Sequence, residues 1–559
     1  MRLVECVPNF SEGRNMAVID AITREIEDTD GAHLLDVDPG RDTNRTVVTF
    51  VAEYDRAVEA AFRAIGKAAQ LIDMRKHSGA HARQGATDVC PFVPVSGVTM
   101  EECVELAREL GERVGRDLGI PVYLYEYAAT REERCNLADI RSGEYEALPD
   151  KLKRREWKPD FGPTEFNAKS GATVIGARKF LIAYNVNLNT RDARKANDIA
   201  MTIREAGRNR RGRDGKFVRD KNGVALTEPG TLKACKAVGW YIDEYARAQI
   251  SINLTDYEVT PPHVAFDEVK KQAEERGLRV TGSELVGLIP LRAMLDAGRH
   301  YLAMQKSSPG VPEAQVIEAA VQSLGLSELA PFDPKEKIIE YRVAGATPLA
   351  DMTVRGFVDL TSTDAPAPGG GSVAALCGAM AGALAAMVAN LTVGKKAYGE
   401  VEGEMMRAAT AAQLIKDTFL RAVDADTRAF DSVLAAMRMP KGNDEESATR
   451  DRAVEDTTRG AVEVPMGVLR GCRGALDVIE SVAARGNANS ISDAGVAALA
   501  IRAAAGGACL NVLINLPGLS DAAYKQRTRA EADSILDEVH KRSDAVVEAI
   551  RAGLTGAIA

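Results

Sequence analysis

The segment from Ser372 to Val393 carries no charged residue and is long enough to cross a lipid bilayer. It must therefore be shielded from water by lipid or by the rest of the protein. Alanine, which drives membrane insertion only weakly, dominates it, and the GxxxG pair Gly378 and Gly382 suits close contact with another helix. We predict that this segment is the buried central helix of a soluble bundle, with a membrane span as the alternative.

The sequence pattern changes near Arg355. Upstream, short apolar runs alternate with amphipathic helical patterns, which predicts strands and helices in α/β layers. Downstream, alanine-rich helical patterns follow one another without a convincing strand. We predict two α/β (α+β sandwich) subdomains at 1–178 and 179–343, a linker at 344–354, and an all-α helical bundle at 355–559.

Composition limits the classes of function. The formal net charge of −9 argues against a general nucleic-acid binder. The eight cysteines are scattered singly, which predicts neither a disulfide framework nor a zinc module. The first residues show no signal-peptide pattern, so we expect a cytoplasmic protein. The basic stretch Arg208–Gly223 is interpreted as a solvated insertion, with nucleic-acid or polyanion binding as alternatives.

Two of the six histidines, His77 and His81, stand four residues apart in the segment Leu71–Gly97. Nearby basic residues and glycines favour a cationic loop rather than a helix. Such a loop can place a neutral imidazole beside an anionic substrate as a proton acceptor. The alternatives are a solvated basic loop and, more remotely, a metal site, for which no third ligand is evident.

The pattern of apolar residues over 3–27 predicts a strand over 3–10 and an amphipathic helix over Met16–Glu27. Farther on, Glu144–Gly171 is a long connection with little periodicity. Long connections inside compact domains are often binding loops. We therefore treat Glu144–Gly171 as a candidate binding segment.

A second candidate centre lies in the predicted helix 402–438. Its apolar residues recur at steps of three and four, and Asp426 fills the one gap in that stripe, facing the core. Asp424 is predicted to face solvent. Desolvation raises the pKa of a carboxyl, which makes an acid or base that works near neutral pH. The alternative is a buried aspartate paired with Arg428 or Lys396.

Two further segments of the helical part are candidates for lining a pocket. Asp364–Ala375 contains three successive glycines followed by Ser372, which we predict as the N-cap of the apolar helix. Such a loop offers backbone N–H groups to an anion. The segment Ala484–Gly495 separates two helices. The candidate pocket residues are Gly370, Gly371, Ser372, Asn487 and Asp493.

Several motifs occur in a fixed order along the chain. They include LVECVPNFSEG, LLDVDPGRDTNRT, LIDMRKHSGAHARQGATDVCPFVPV, GATVIGARKFLIAYN and SELVGLIP, followed by PGGGSVAA, VDADTRAF and NVLINL. With these motifs the chain resembles the bifunctional formimidoyltransferase-cyclodeaminase family along nearly its whole length. The order of the parts is also that of the family, with the transferase first and the cyclodeaminase second.

The resemblance implies two reactions on tetrahydrofolate in histidine breakdown. The first moves the formimino group of N-formimino-L-glutamate to N5 of tetrahydrofolate. The second closes the ring onto N10, which gives 5,10-methenyltetrahydrofolate and ammonia. The family further implies tetrahydrofolate as co-substrate in a polyglutamylated form, no metal ion, no nucleic acid, no membrane, and a homo-oligomer with a dimeric helical domain.

The resemblance also assigns roles to residues. The transferase histidine of the family matches His81, which implies a base that accepts the N5 proton, with His77 as support. An acidic residue of the same site matches Asp38, and the cyclodeaminase carboxylate matches Asp426. The folate-binding loop of the family matches Gly162, Pro163, Thr164, Glu165, Phe166, Asn167, Ala168, Lys169, Ser170 and Gly171.

Two other functions stay open at the level of sequence. Helical domains related to this one also occur as methenyltetrahydrofolate cyclohydrolases, so the second reaction can be hydrolysis of the methenyl bridge. A folate-binding scaffold that has lost its catalytic activity is the other alternative. Product analysis separates these possibilities, because only the cyclodeaminase releases ammonia together with methenyltetrahydrofolate.

Overall fold

A computed structural model of the chain describes residues 2–41, 44–79, 82–212, 216–220, 223–243, 245–343 and 348–556. These residues pack into two compact units. The α/β unit contains residues 1–296 and 324–344, and the helical unit contains residues 297–323 and 345–559. By packing, residues 297–323 thus belong with the helical unit, and the boundaries predicted at 178 and 343 stay predictions.

The first sheet of the α/β unit has seven strands. These are β1 (Leu3–Cys6), β2 (Asn9–Phe10), β3 (Ala32–Gly40), β4 (Arg45–Glu53), β5 (Thr87–Ser96), β6 (Val122–Glu126) and β7 (Thr173–Ala177). Strands β1 and β2 lie between β4 and β5 and are antiparallel to both, whereas β7 is parallel to β5 and β6. One face of this sheet packs on helices, and its other face carries polar groups.

The helices of this part follow the sequence pattern closely. They are α1 (Met16–Glu27), α2 (Tyr54–Leu71), α3 (Met100–Asp117), α4 (Leu137–Arg141) and α5 (Glu144–Lys151). Helix α1 has the predicted bounds, because Asn15 caps its first turn with a side-chain hydrogen bond to the N–H of Ala17. Its buried isoleucines pack with β1 and α2 in one core.

Two predictions about these elements were wrong. The strand predicted over 3–10 is broken into β1 and β2, since Pro8 has no N–H to continue the strand ladder. The connection Glu144–Gly171 contains helix α5, although Pro149 lies inside it and its amphipathic pattern is weak. The N–H of Tyr145 donates to Arg83 O, so contacts distant in sequence help to hold this helix.

The next part of the chain contains β8 (Ile182–Leu188), β9 (Arg208–Asn209), β10 (Thr227–Glu228), β11 (Cys235–Ile242), β12 (Arg247–Leu254), β13 (Val280–Val286), α6 (Ala193–Ile203) and α7 (Pro262–Glu274). Four of these strands form a second, antiparallel sheet in the order β11-β12-β8-β13. Then follow α8 (Leu291–Met304), α9 (Glu313–Leu324), α10 (Pro334–Lys337) and α11 (Ile339–Val343). At the start of the basic insertion, Arg208 pairs with Asp198 at 2.8 Å.

The helical unit is a bundle, as predicted. Besides the second half of α8 and nearly all of α9, it contains α12 (Val354–Thr361), α13 (Gly370–Asn390), α14 (Glu402–Met437), α15 (Asp444–Arg485), α16 (Ile491–Asn515) and α17 (Ala522–Gly556). Helices α13 and α14 approach closely at two glycines. A Cβ on Gly378 would lie 2.8 Å from the Phe419 ring, and one on Gly382 would lie 2.9 Å from the backbone N of Lys416.

Two helical stretches, Gly370–Asn390 and Ala488–Gly518, are long and apolar enough to cross a membrane by length and composition alone. In the first, 61% of the apolar window is buried among the other helices. Such burial is the arrangement expected of a central bundle helix.

Candidate functional site

The loop between α2 and β5 carries the two candidate histidines. His77 Nε2 lies 2.8 Å from the carbonyl oxygen of Asn44, and Arg83 Nε donates to His77 Nδ1 at 3.4 Å. Because a guanidinium only donates, Nδ1 is the acceptor and Nε2 carries the proton. Both ring nitrogens of His77 are thus engaged, which fits the predicted supporting role. His81 lies outside the described residues, and its role as base stays a prediction.

Two carboxylates hold the other side of this loop. Arg83 is nearly buried and reaches both Glu144 and Glu146 at 2.7 Å. These ion pairs raise the pKa of Arg83 above its ordinary value, with Glu146 contributing most. The guanidinium therefore stays charged and connects the histidine loop to the first turn of α5.

The predicted folate-binding loop packs directly on the histidine loop. Met74 N donates to Lys169 O at 2.9 Å, and Ala86 N donates to Ser170 O at 2.8 Å. Gly85 permits this approach, since a Cβ there would lie 2.3 Å from Ala172 O. The structure thus brings together two segments that the family resemblance places in one transferase site, although they are far apart in sequence.

The conformation of the loop from Gly162 to Gly171 is fixed by its own residues and by Tyr145. Gly162 has φ +82°, a conformation that favours glycine. Asn167 Oδ1 accepts from Ser170 N at 3.0 Å, so this side chain is engaged in shaping the loop. The Phe166 ring lies 5.4 Å from that of Tyr145, whose hydroxyl donates to Ala168 O. Among the predicted folate residues, the exposed ones are Gly162, Thr164, Glu165 and Lys169.

Asp38 lies exposed on β3, opposite Val47 of β4. Its charge acts on Arg45, whose pKa is lowered by burial and nearby Arg141 but raised by Asp88 and Asp38. Asp36, two residues earlier on the same face of β3, lines a cavity of about 560 Å³ in the α/β unit. Sequence reasoning missed the other charged residues of this cavity, which are Glu5, Arg178, Glu336, Lys337 and Arg342.

In the helical unit, Asp426 of α14 lies at the start of α13. The Ser372 hydroxyl is 3.3 Å from Asp426 Oδ2, and the Ser372 N–H also donates to this carboxylate. As predicted, burial raises the pKa of Asp426, against the two hydrogen bonds from Ser372, which lower it. The carboxylate faces a narrow cleft lined also by Ala422, Val464, Pro465, Val468 and Ala508.

Gly371 leaves the space that this carboxylate occupies. A Cβ on Gly371 would lie 2.1 Å from Asp426 Oδ1 and 2.4 Å from its carboxyl carbon. Gly370 is next to Asn511, whose amide nitrogen would lie 3.5 Å from an added Cβ. The absence of a side chain at Gly371 therefore leaves room for the Asp426 carboxylate at the start of α13.

Two sequence predictions about this centre were wrong. Ser372 is not the N-cap, because α13 already begins at Gly370, and the Ser372 hydroxyl is shared between Val423 O at 2.9 Å and Asp426 Oδ2. Asp424 does not face solvent. It is 2% exposed and accepts from Leu349 N and Ala350 N at 2.9 and 3.1 Å. The segment before α12 folds over this side of α14, which helical periodicity alone cannot reveal.

The structure does not bring Asn487 and Asp493 to Asp426. The backbone N–H of Asn487 donates to Thr392 Oγ1 at 2.8 Å, beyond the C-terminal end of α13, whereas Asp426 lies at its N-terminal end. A helix of this length spans roughly 30 Å. Asp493 is in the first turn of α16, whereas Asn511, which lies next to Gly370, is near the other end of that helix. Asn487 therefore connects the segments that follow α13 and precede α16, and neither Asn487 nor Asp493 is near Asp426.

Within the described ranges, no group of three or more His, Cys, Asp or Glu side chains is arranged to hold a metal ion. The expectation of metal-free chemistry stays a prediction, since His81 is outside those ranges.

Comparisons with known proteins agree with these two centres. Residues 3–178 match the N-terminal subdomain of the formiminotransferase domain, residues 183–344 match the formiminotransferase domain, and residues 353–534 match the formiminotransferase-cyclodeaminase family. Formimidoyltransferase-cyclodeaminase of Mus musculus is 45% identical over 555 residues, which cover 99% of each chain.

Shorter relatives correspond to parts of the chain. Glutamate formimidoyltransferase of Thermoplasma acidophilum is 43% identical over 324 residues, 58% of this chain and 98% of its own. Methenyltetrahydrofolate cyclohydrolase of Methylorubrum extorquens is 39% identical over 199 residues, 36% of this chain and 96% of its own.

The α/β part matches the transferase domain families, and the helical part matches the cyclodeaminase family. The chain is therefore a fusion of two enzyme types. It belongs to the formimidoyltransferase-cyclodeaminase family, as its motifs predicted.

Proposed function

We propose that this chain transfers the formimino group of N-formimino-L-glutamate to N5 of tetrahydrofolate and then cyclises the product to 5,10-methenyltetrahydrofolate and ammonia. The observation that carries the proposal is 45% identity over 99% of the chain to a protein named for both activities. Two separate chemical centres in the two units support it.

In the first reaction, N5 attacks the formimino carbon and the bond from that carbon to the glutamate nitrogen breaks. His81 accepts the proton that N5 loses, and the departing glutamate nitrogen gains one. The Asp38 carboxylate stabilises the positive charge of the amidinium group. His77, fixed between Asn44 and Arg83, holds the loop that bears His81.

In the second reaction, N10 attacks the same carbon and ammonia leaves. Asp426 takes the proton from N10 and gives it to the departing nitrogen. A carboxyl whose pKa is raised by burial suits both steps, because the energies of its two protonation states lie closer together near neutral pH.

The test is incubation of the purified chain with formiminoglutamate and tetrahydrofolate, with methenyl absorbance and ammonia followed together. Equal yields of both products support the proposal. The identity to a methenyltetrahydrofolate cyclohydrolase favours one second candidate, hydrolysis of the methenyl bridge. Ammonia without accumulating methenyltetrahydrofolate would favour that alternative, and folate binding without turnover would indicate a non-catalytic scaffold.

The proposal includes a homo-oligomer with a dimeric helical domain. Helix α16 exposes Leu510 and Ile514 at 69% and 75%, and α13 exposes Met380 at 56%. Large apolar side chains on neighbouring helices are typical of a surface that a second copy covers. The solution mass of the full chain tests this part, and a monomeric mass would contradict it.

Three further parts of the proposal concern the cellular location, the form of the folate and the role of metal ions. A cytoplasmic location is supported by eight free cysteines, and fractionation of the producing cells tests it. A polyglutamylated folate is proposed as the substrate form, and a lower KM for folates with longer glutamate tails is the expected result. Metal-free chemistry predicts unchanged rates for both steps after dialysis against a chelator.

A further inference from the structure

The cavity of the α/β unit contains charged groups to which the proposed reactions assign no role. Its acidic residues are Glu5, Asp36 and Glu336, and its basic residues are Arg178, Lys337 and Arg342. Leu35, Phe180 and Leu181 provide apolar walls. A partly apolar cavity with a few convergent polar groups is typical of a binding site for a small ligand.

Glu5 is the unusual member of this set. Strand β1 alternates, so Val4 and Cys6 enter the helix-covered core and Glu5 faces the cavity. Glu5 is 5% exposed, and none of the described residues donates a hydrogen bond to its carboxylate. Burial raises the pKa of Glu5 to about 7, against the attraction of Arg178. A buried carboxylate without hydrogen-bond donors is costly, so a ligand that supplies them would bind tightly here.

Two parallel N–H donors on a planar N–C–N group match the two oxygens of a carboxylate. Each substrate of the proposed transferase carries such a group. In formiminoglutamate it is the formamidine, and in tetrahydrofolate it is the N3–H and 2-amino edge of the pteridine. We propose that Glu5 is a specificity-determining residue that accepts two hydrogen bonds from this N–C–N group, an inference that rests on the proposed function.

The sheet geometry relates Glu5 to the predicted reaction centre. Glu5 is opposite Val51 of β4, and Asp38 is opposite Val47 on the other side of that strand. Four residues along β4 and two strand spacings give roughly 16 Å between the Cα atoms of Glu5 and Asp38. An interval of this length has room for a fused bicyclic ring between the two carboxylates. The geometry thus favours the pteridine as the source of the N–C–N group.

The test is the isosteric variant Glu5→Gln in the full chain, assayed by glutamate release with each substrate varied in turn. An amide presents one acceptor and two donors, so it cannot accept both N–H groups. We expect the KM for tetrahydrofolate to rise by about 10- to 100-fold, with a much smaller change in kcat. The surface variant Glu109→Gln is the control for loss of a carboxylate in the same unit.

Two further measurements separate recognition from a structural role. A tetrahydrofolate lacking the 2-amino group should bind weakly to the wild type and lose little more in Glu5→Gln. The wild-type KM for tetrahydrofolate should fall as pH rises through the range where Glu5 ionises, and Glu5→Gln should lack this dependence. The other titratable or charged groups around Glu5 are Cys6, Asp36, Arg178, Glu336, Lys337 and Arg342, and all six remain in the variant.

The outcomes are distinct. A rise confined to the KM of tetrahydrofolate assigns the pteridine to Glu5, and a rise confined to formiminoglutamate assigns the formamidine. Wild-type KM values for both substrates in Glu5→Gln overturn the inference. Absence of transfer in the wild type contradicts the proposed function itself. A retained kcat for glutamate release shows that the α/β unit of the variant is folded, and cyclodeaminase activity on supplied 5-formimidoyltetrahydrofolate shows the same for the helical unit.

Discussion

The two chemical centres are built in different ways. In the α/β unit, the histidine loop, α5 and the loop Gly162–Gly171 meet through hydrogen bonds between segments distant in sequence. In the helical unit, Asp426 lies in a gap between two helices that Gly371 leaves open. The first centre depends on polar connections and the second on packing at short distance.

This difference predicts different responses to mutation. Loss of one hydrogen bond in a connected loop costs about 1 kcal/mol, and the remaining contacts preserve most of the geometry. A closely packed interior cannot absorb even one methyl group without displacing its neighbours. The helical centre should therefore be more sensitive to small changes in side-chain volume, and the loop centre to the loss of polar groups.

The largest expected effects come from the residues assigned to proton transfer. His81→Ala should lower formimino transfer by about 10²- to 10⁴-fold, and Asp426→Asn should lower cyclisation by a similar factor, because each removes a positioned acid or base. Glutamate release reports the first step, and ammonia release from 5-formimidoyltetrahydrofolate reports the second. Loss of both steps in either folded variant would contradict two separate centres.

Gly371→Ala tests the packing of the helical centre. The added methyl group would lie within 2.5 Å of three atoms of the Asp426 carboxylate, so the carboxylate must move away from Ser372. We expect about a 10²-fold loss of cyclisation with formimino transfer unchanged. Gly369→Ala is the matched control, since no atom lies within 4 Å of its Cβ position. Equal effects of the two substitutions would show that the gap is unimportant.

Asp424→Asn distinguishes structure from chemistry on the same helix. An asparagine retains one oxygen acceptor where Asp424 provides two to the N–H groups of Leu349 and Ala350. We expect the helical unit to lose about 2 kcal/mol of its free energy of unfolding, with cyclisation changed less than about 3-fold at low temperature. Urea unfolding followed by circular dichroism measures the first quantity. A loss of activity comparable to that of Asp426→Asn would show that the chemistry is not specific to Asp426.

His77→Ala tests the polar connection of the loop centre. It removes the contacts to Asn44 and Arg83 but leaves the two hydrogen bonds that Lys169 O and Ser170 O accept from the histidine loop. We expect about a 10-fold loss of formimino transfer, well below that of His81→Ala, and unchanged cyclisation. His77→Gln, which keeps a donor and an acceptor, should recover part of the loss. A loss equal to that of His81→Ala would make His77 a candidate for the base.

Sequence patterns predicted elements more reliably than the contacts between them. The bounds of α1 were predicted to the residue because the cap and the apolar stripe lie in one local stretch. The direction of Asp426 was predicted for the same reason. The burial of Asp424 was not, since it depends on residues 349–350, about 75 positions away.

The site of the α/β unit shows the same limit more strongly. The family motifs indicated which loops matter, but the contact of Met74 with Lys169 is between backbone atoms and leaves no side-chain pattern. The sequence did not single out Glu5, because one charged residue between apolar residues of a strand normally indicates a solvent-facing position. Only the cavity shows that this side of the strand is enclosed.

The smallest expected effect is a pH-dependent change in the thermal stability of Asp426→Asn. Burial raises the folded-state pKa of Asp426, so the folded protein binds a proton more tightly than the unfolded chain does. This contribution to stability is complete below the unfolded pKa of about 3.9 and is lost as pH rises through the folded pKa. Asparagine cannot ionise and avoids this loss. Calorimetry should therefore show a slightly higher Tm for the variant near neutral pH, with the difference shrinking toward acid. A lower Tm at neutral pH would mean that the carboxylate stabilises the bundle, and packing alone would then not describe the helical centre.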